Sequence, residues 1–288
     1  MSYAIIDYSD KKWSYSLKTN SDADKLSIFL PYFKEKKSKK YAKKTVNIIN
    51  KAKINNVIVN KEIFKNRSFC EELVANKKYI ITGRRIYKTL ILRCLKDVSN
   101  QMNVELKKLK IVLLVDEYSV ENVDLIRSVA KEVKSLTVVT TDKDKFARLV
   151  QELNDNFGII LKVFEKNKTN YKYAHILVNA DFPSYDMDKI NVSNNCLIIC
   201  GFATLYKIKN NFNGIIIRNI DIISRRTYNE RVDEIAICEA QIYSYHRKIK
   251  ENDKVFEKEG YRINGYFGEN GKITSEEFKK LGKILLDK

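Results

Sequence analysis

The segment "KIVLLVDEYSVENVDLIRSVAKEVKSLTVVTTD" constrains the fold more than any other part of the chain. A continuous apolar run (Ile111–Val115) precedes an amphipathic stretch (Val120–Val133), a second run (Leu136–Thr140), a second amphipathic stretch (Lys143–Asn156) and a third run (Ile159–Phe164). Strands that are apolar on both faces belong in a parallel sheet with helices on each side. Right-handed crossovers then make a doubly wound topology the expected one. The runs "HILVNA", "CLIIC" and "GIIIRN" add three strands without long helices between them.

A smaller α/β region precedes this sheet. "YAIIDYSDKKWSYSLKT" alternates on both sides of a polar turn and predicts a β-hairpin. "DADKLSIFLPYFKEKKSKKYAKKTVNIINKAK" predicts a mostly helical stretch broken near Pro31, with Tyr41, Thr45, Ile48, Ile49 and Ala52 as its core-facing stripe. "NVIVN", "FCEELVAN" and "YIITG" complete the region as strand, helix and strand. The helix "RRIYKTLILRCLKDVSNQM" then leads into the large sheet. "YNERVDEIAICEAQIYSYHRKIK" predicts the last long helix, with Val232, Ile235, Ala236, Ile242, Tyr243, His246 and Ile249 along one side. In the tail, Thr274 and Glu277 have the spacing of a capping box after an Asn270-Gly271 turn. The expected organisation is a small N-terminal domain over residues 1–82, a linking helix and sheet domain over 83–228, and C-terminal helices over 229–288 packing on the core.

Four stretches carry a resemblance. "ITGRRIYKTL" is similar to "NTDGxGFxxxL", "AHILVNADFPSYDM" to "ADIVVNATPxGM", and "ICEAQIYSYH" to "GQAxxxFxxW", while "NCLIICGFATLY" stands where a strand runs into "DxxYxP". Together they resemble the shikimate dehydrogenase type of amino-acid-dehydrogenase-like protein over roughly Tyr79 to Ile249. The resemblance implies a Rossmann-like, doubly wound, mainly parallel sheet with a smaller N-terminal α/β domain. It also implies which positions would carry chemistry, and there the chain departs. The family's catalytic Asp corresponds to Thr82, its substrate-binding Gln to Glu239, and its catalytic Lys to Lys61, one residue early and without the family's proline. Its glycine-rich phosphate turn corresponds to "DEYS", Asp116 to Ser119.

Glycines in such a turn let the backbone approach a pyrophosphate resting on the helix N-terminus. "DEYS" instead fills that space with side chains, two of them anionic. It reads as a self-capped helix start whose anion site is taken by Asp116 and Glu117. The expectation is therefore a non-catalytic binding or regulatory protein with a degenerate dinucleotide site and no cofactor. The alternative is an NAD- or NADP-dependent oxidoreductase with atypical phosphate recognition. In that case Ser119, Thr140, Thr141, Lys143 and Asn179 are the expected contacts. Thr140, Thr141 and Lys143 follow the second strand, where a 2′-phosphate would lie, and read equally as a helix cap with a solvated lysine.

No metal site is expected. His175 and His246 have no Cys or His partner at ligand spacing and read as structural residues. Cys196 and Cys200, on one strand face, read as core thiols. "YFGENGKITSEEF" matches the second half of a calcium loop, but Tyr266 and Gly268 stand where the first carboxylates must be.

Composition narrows the partners. Hydrophobic residues make up 44 % of the 288, which excludes wholesale disorder. The apolar runs are too short to span a bilayer, the first residues lack a signal-peptide pattern, and five cysteines have no framework spacing. A cytoplasmic protein with reduced thiols is expected, with no membrane partner and with an unidentified protein or small ligand as the partner. The net charge of +18 is uneven, because Lys34 to Lys61 holds ten lysines and one acid, Glu35. Lys36, Lys40, Lys43 and Lys44, with aromatic residues interleaved, could track a phosphate backbone, which makes a nucleic acid or other polyanion a third reading. An AT-rich genome and a solvated helix face would produce the same run.

Overall fold

The computed structural model describes residues 3–9, 17–22, 25–166, 170–187, 189–200, 211–223, 234–245, 256 and 261–286. These divide into two compact units, residues 1–86 with 223–262, and residues 87–222 with 263–288.

Unit 1 is built on β1 (Tyr3–Tyr8), β2 (Lys18–Ser21), β3 (Lys25–Leu30), α1 (Ser38–Lys51), β4 (Asn56–Val59), α2 (Lys61–Phe64), α3 (Arg67–Ala75) and β5 (Tyr79–Ile80). The strand order is β2-β3-β1-β4-β5, parallel throughout except for β2. Two expectations are corrected here. β1 does not form a hairpin with β2; β2 pairs antiparallel with β3, and β1 lies between β3 and β4. "KLSIFL" is a strand rather than the start of a helix: Leu26, Ile28 and Leu30 alternate into the core, and Pro31 closes it. The buried face of α1 is Ser38, Ala42, Thr45, Val46 and Ile49, while Tyr41, Ile48 and Ala52 are half-buried, so the helix is rotated from the predicted stripe.

Helix α4 (Arg84–Met102) begins in unit 1's first segment. Unit 2 continues with β6 (Ile111–Leu114), α5 (Val120–Ala130), β7 (Ser135–Thr140), α6 (Ala147–Phe157), β8 (Ile160–Glu165), β9 (Asn170–Tyr171), β10 (Ile176–Asn179), α7 (Ser184–Met187), β11 (Asn191–Val192), β12 (Leu197–Cys200), β13 (Ile215–Ile217) and β14 (Asn219–Ile223). Six strands pair in parallel in the order β13-β12-β10-β6-β7-β8. By order of appearance that is 3-2-1-4-5-6 read from β8, the doubly wound Rossmann-like arrangement, and it reverses direction between β6 and β10. Every residue of β6, β10 and β12 is buried, as a sheet covered on both faces requires. α6 ends at Gly158, whose φ of 62° supplies the left-handed cap.

Helix α8 (Glu234–Tyr245) belongs to unit 1, where Ala236, Ile237 and Ala240 pack on Tyr3, Ile58 and Ile81. Ile235 and Ile242 of the predicted stripe are also buried, and Val232, His246 and Ile249 lie outside the described residues. The tail of unit 2 is β15 (Arg262–Gly268), β16 (Gly271–Lys272) and the terminal helix Ser275–Leu286. The capping box forms: Glu277 N donates to Thr274 Oγ1 at 3.3 Å, and Thr274 N donates to Glu277 Oε2 at 2.7 Å. Tyr266 is a buried strand residue whose hydroxyl donates to Asp97 at 2.7 Å.

Candidate functional site

In open α/β sheets ligands bind beyond the carboxyl ends of the strands, at the point where strand order reverses. In unit 2 that point lies between β6 and β10, where the chain places a carboxylate of its own. β10 ends at Asn179, whose side chain ties down the next turn: its Oδ1 accepts from Phe182 N at 2.7 Å, and its Nδ2 donates to Phe182 O at 3.0 Å. That turn directs Asp181 to the end of β6. Asp116 N donates to Asp181 Oδ1 at 2.5 Å, and Asp181 Oδ2 accepts from Asn122 Nδ2 and from Lys88 Nζ, both at 2.8 Å. Helix α4 delivers Lys88, and its neighbour Tyr87 donates its hydroxyl to Asn179 O at 3.0 Å.

The carboxylate that occupies the β6–α5 turn is therefore Asp181, from the far side of the crevice. This corrects the expectation that Asp116 and Glu117 fill the anion site. Glu117 is exposed, and Asp116 Oδ1 is buried without a hydrogen-bond partner. Burial pushes the Asp116 carboxyl above its usual range; Lys166 opposes this, and Asp181, Asp186 and Glu117 reinforce it. A second pair lies alongside, with Lys166 Nζ 2.6 Å from Oδ2 of the buried Asp186.

Ser119 is the N-cap of α5, its Oγ accepting from Asn122 N at 3.2 Å, as "DEYS" predicted for a capped helix. Thr140 and Thr141 both donate their hydroxyls to Asp116 O, Thr140 at 3.3 Å. Lys143 pairs with Glu165 at 3.7 Å across exposed surface. Thus each of the five residues expected at a nucleotide is engaged within unit 2. Lys88, Asn122 and Asp181 were not singled out by the sequence. The available signal was an acid two residues beyond a buried parallel strand, in "LVNADF".

Thr82, Lys61 and Glu239 lie in unit 1. Thr82 is half-buried, and Lys61 is exposed at the start of α2. Glu239 is buried, and its Oε2 accepts from Arg85 N at 2.8 Å and Ile86 N at 3.3 Å, capping the first turn of α4. Burial raises its pKa, against the lowering effect of those two N–H groups and of Arg85. His175 accepts from Lys110 N at 3.3 Å. Cys196 and Cys200 are buried, unbridged thiols; burial raises both, Cys200 to about 12. Among the described residues no set of His, Cys, Asp and Glu side chains is placed to hold a metal ion, and no helix is long and apolar enough to cross a membrane.

No family model and no curated protein matches the chain. Solved structures that resemble it include L-tryptophan dehydrogenase from Nostoc punctiforme, at 11 % identity over 91 % of this chain and 76 % of that one, with a TM-score of 0.39. Quinate dehydrogenase from Corynebacterium glutamicum in complex with NAD is 9 % identical over 68 % and 78 %, with a TM-score of 0.28. A putative aspartate carbamoyltransferase from Trypanosoma cruzi is 10 % identical over 68 % of each chain, with a TM-score of 0.29. The likenesses are distant, and the class rests on strand order and register. Unit 2 is a Rossmann-like, doubly wound α/β fold with a mainly parallel sheet.

Proposed function

We propose that the protein acts by binding, as a regulator or scaffold, and that its Rossmann-like unit carries no dinucleotide and transfers no hydride. The observation that supports this reading is the Asp181 carboxylate, held by Asp116 N, Asn122 and Lys88 in the turn where a pyrophosphate would rest. A phosphate about 4 Å from that carboxylate meets a repulsion of about 1 kcal/mol in bulk water and about 4 kcal/mol at the effective dielectric of a protein surface. Expelling Asp181 instead would strand Lys88, which is only 14 % exposed. An oxidoreductase reading requires Thr140 and Thr141 to leave Asp116 O and Lys143 to leave Glu165. The test is calorimetric titration of the full chain with NAD and with NADP. Dissociation constants weaker than about 10 μM, roughly −7 kcal/mol, are expected, and tighter binding of either overturns the proposal.

A further inference from the structure

The exposed side of α1 consists of Lys39, Lys40, Lys43, Lys44 and Lys51 with Asn47 and Asn50, and of nothing else. Lys36, in the turn before the helix, extends this face. At the helical rise, Lys36 to Lys51 spans about 22 Å. Phosphates advance by about 3.4 Å along each strand of a duplex, so the stripe faces about six of them.

Genome composition raises the lysine count but does not remove acids. The chain has 36 acids in 288 residues, or one in eight, which would place about three in the 26 residues from Lys36 to Lys61; there are none. Elsewhere basic residues pair locally, as in Lys65–Glu62, Arg67–Glu71 and Lys145–Asp142. Among the described residues no carboxylate pairs with a lysine of α1. A helix face with uncompensated charge along its whole length fits a linear polyanion.

We infer that the exposed face of α1 is a sequence-independent binding surface for the phosphate backbone of double-helical nucleic acid. Lysines neutralise phosphates, releasing counterions, and the interleaved asparagines add hydrogen-bond donors suited to phosphate and sugar oxygens. An anionic bilayer would gain electrostatic attraction from these lysines but no buried apolar area, because α1 exposes no apolar side chain. A protein interface would require a buried aromatic or aliphatic centre, and lysine is depleted from such centres. Tyr32, shortly before the lysine-rich segment in sequence, is 75 % exposed. The inference concerns unit 1 alone and does not depend on the reading of the crevice in unit 2.

The experiment is fluorescence anisotropy of the full chain with a labelled duplex of about 20 base pairs, titrated over a range of salt. Three proteins are compared: the wild type, the quadruple Lys36→Gln/Lys40→Gln/Lys43→Gln/Lys44→Gln, and a control of equal charge, Lys107→Gln/Lys279→Gln/Lys280→Gln/Lys283→Gln, whose lysines are also exposed. The wild-type affinity should fall steeply with salt, and the first variant should flatten the slope by about 3.6, at about 0.9 for each phosphate no longer neutralised. The control should keep the wild-type slope to within about 0.9, and circular dichroism should show all three equally folded. Because Gln is a good helix former, single Lys40→Gln and Lys44→Gln variants, each flattening the slope by about 0.9, provide the same reading if the quadruple variant loses structure. The inference is overturned by absence of duplex binding at low salt or by equal flattening in both quadruple variants. It is equally overturned by binding to phosphatidylserine vesicles in place of the duplex.

Discussion

Lys88 Nζ lies 2.8 Å from Asp181 Oδ2, and the two side chains are 14 % and 17 % exposed. The pair joins α4 to the loop after β10 across 93 positions of sequence. An enclosed pair of this kind owes little to its own attraction, because desolvation offsets the Coulomb term. Breaking it from one side is costly, because an uncompensated charge stays behind.

Asp181→Ala should therefore cost about 3 kcal/mol in urea denaturation, because Lys88 and Asp116 N lose their acceptor and Asn122 Nδ2 keeps only Glu117 O. The double variant Lys88→Met/Asp181→Leu should be more stable than Asp181→Ala, since no charge is then left enclosed, although Asp116 N and Asn122 Nδ2 still lack Asp181. Single and double variants equally unstable would show that the lost hydrogen bonds of Asp116 N and Asn122, and not the stranded charge, set the cost.

Glu239 gives a pH dependence with a definite sign. Its folded carboxyl is raised by burial, so between the unfolded value of about 4.3 and the folded one the native state holds the extra proton. Stability from this group is thus greatest at acidic pH and is lost as pH rises through that window. Glu239→Gln removes the titration while leaving an oxygen for the N–H groups of Arg85 and Ile86. The stability of the wild type relative to Glu239→Gln should be larger at about pH 5 than at about pH 7.5. Urea midpoints at the two pH values measure this directly, and a difference that is flat or reversed would remove Glu239 as the cause.

Gly282, in the terminal helix, makes a close approach. A Cβ there would fall 2.1 Å from Met102 O and 2.9 Å from Met102 C, both backbone atoms at the end of α4. Alanine gains about 1 kcal/mol of helix propensity over glycine. An approach that short to a carbonyl outweighs this gain, and Gly282→Ala should be net destabilising by about 1–3 kcal/mol. A variant with an unchanged or raised melting point would show that the terminal helix can shift away at no cost.

The elements from β6 to β8 were legible because each strand and helix declares itself locally, through apolar runs and amphipathic periods. The box between Thr274 and Glu277 spans three positions and was legible for the same reason. The pairing of β1 was not legible, because alternation shows that a segment is a strand without showing its neighbour. β1 is flanked by β3 and β4, a choice made by the core around Ile6 and Ile28. At the crevice, local reading identified the turn without glycines and the cap at Ser119. It could not find the carboxylate that occupies the turn, because Asp116 and Asp181 are 65 positions apart.

The Asp181 carboxylate is also an anion built into the chain. It is tethered two residues beyond β10, and a short tether alone gives an effective concentration in the millimolar range. An outside anion must compete with this internal one before it gains any interaction of its own. Within unit 2 the Lys88 charge is already matched by Asp181. Proteins that bind a ligand only when folded gain stability as that ligand accumulates, by about 2.7 kcal/mol at a hundredfold excess over Kd. On the proposed reading, with its counter-ion carried in the chain, the protein should show the same stability with and without added NAD or NADP.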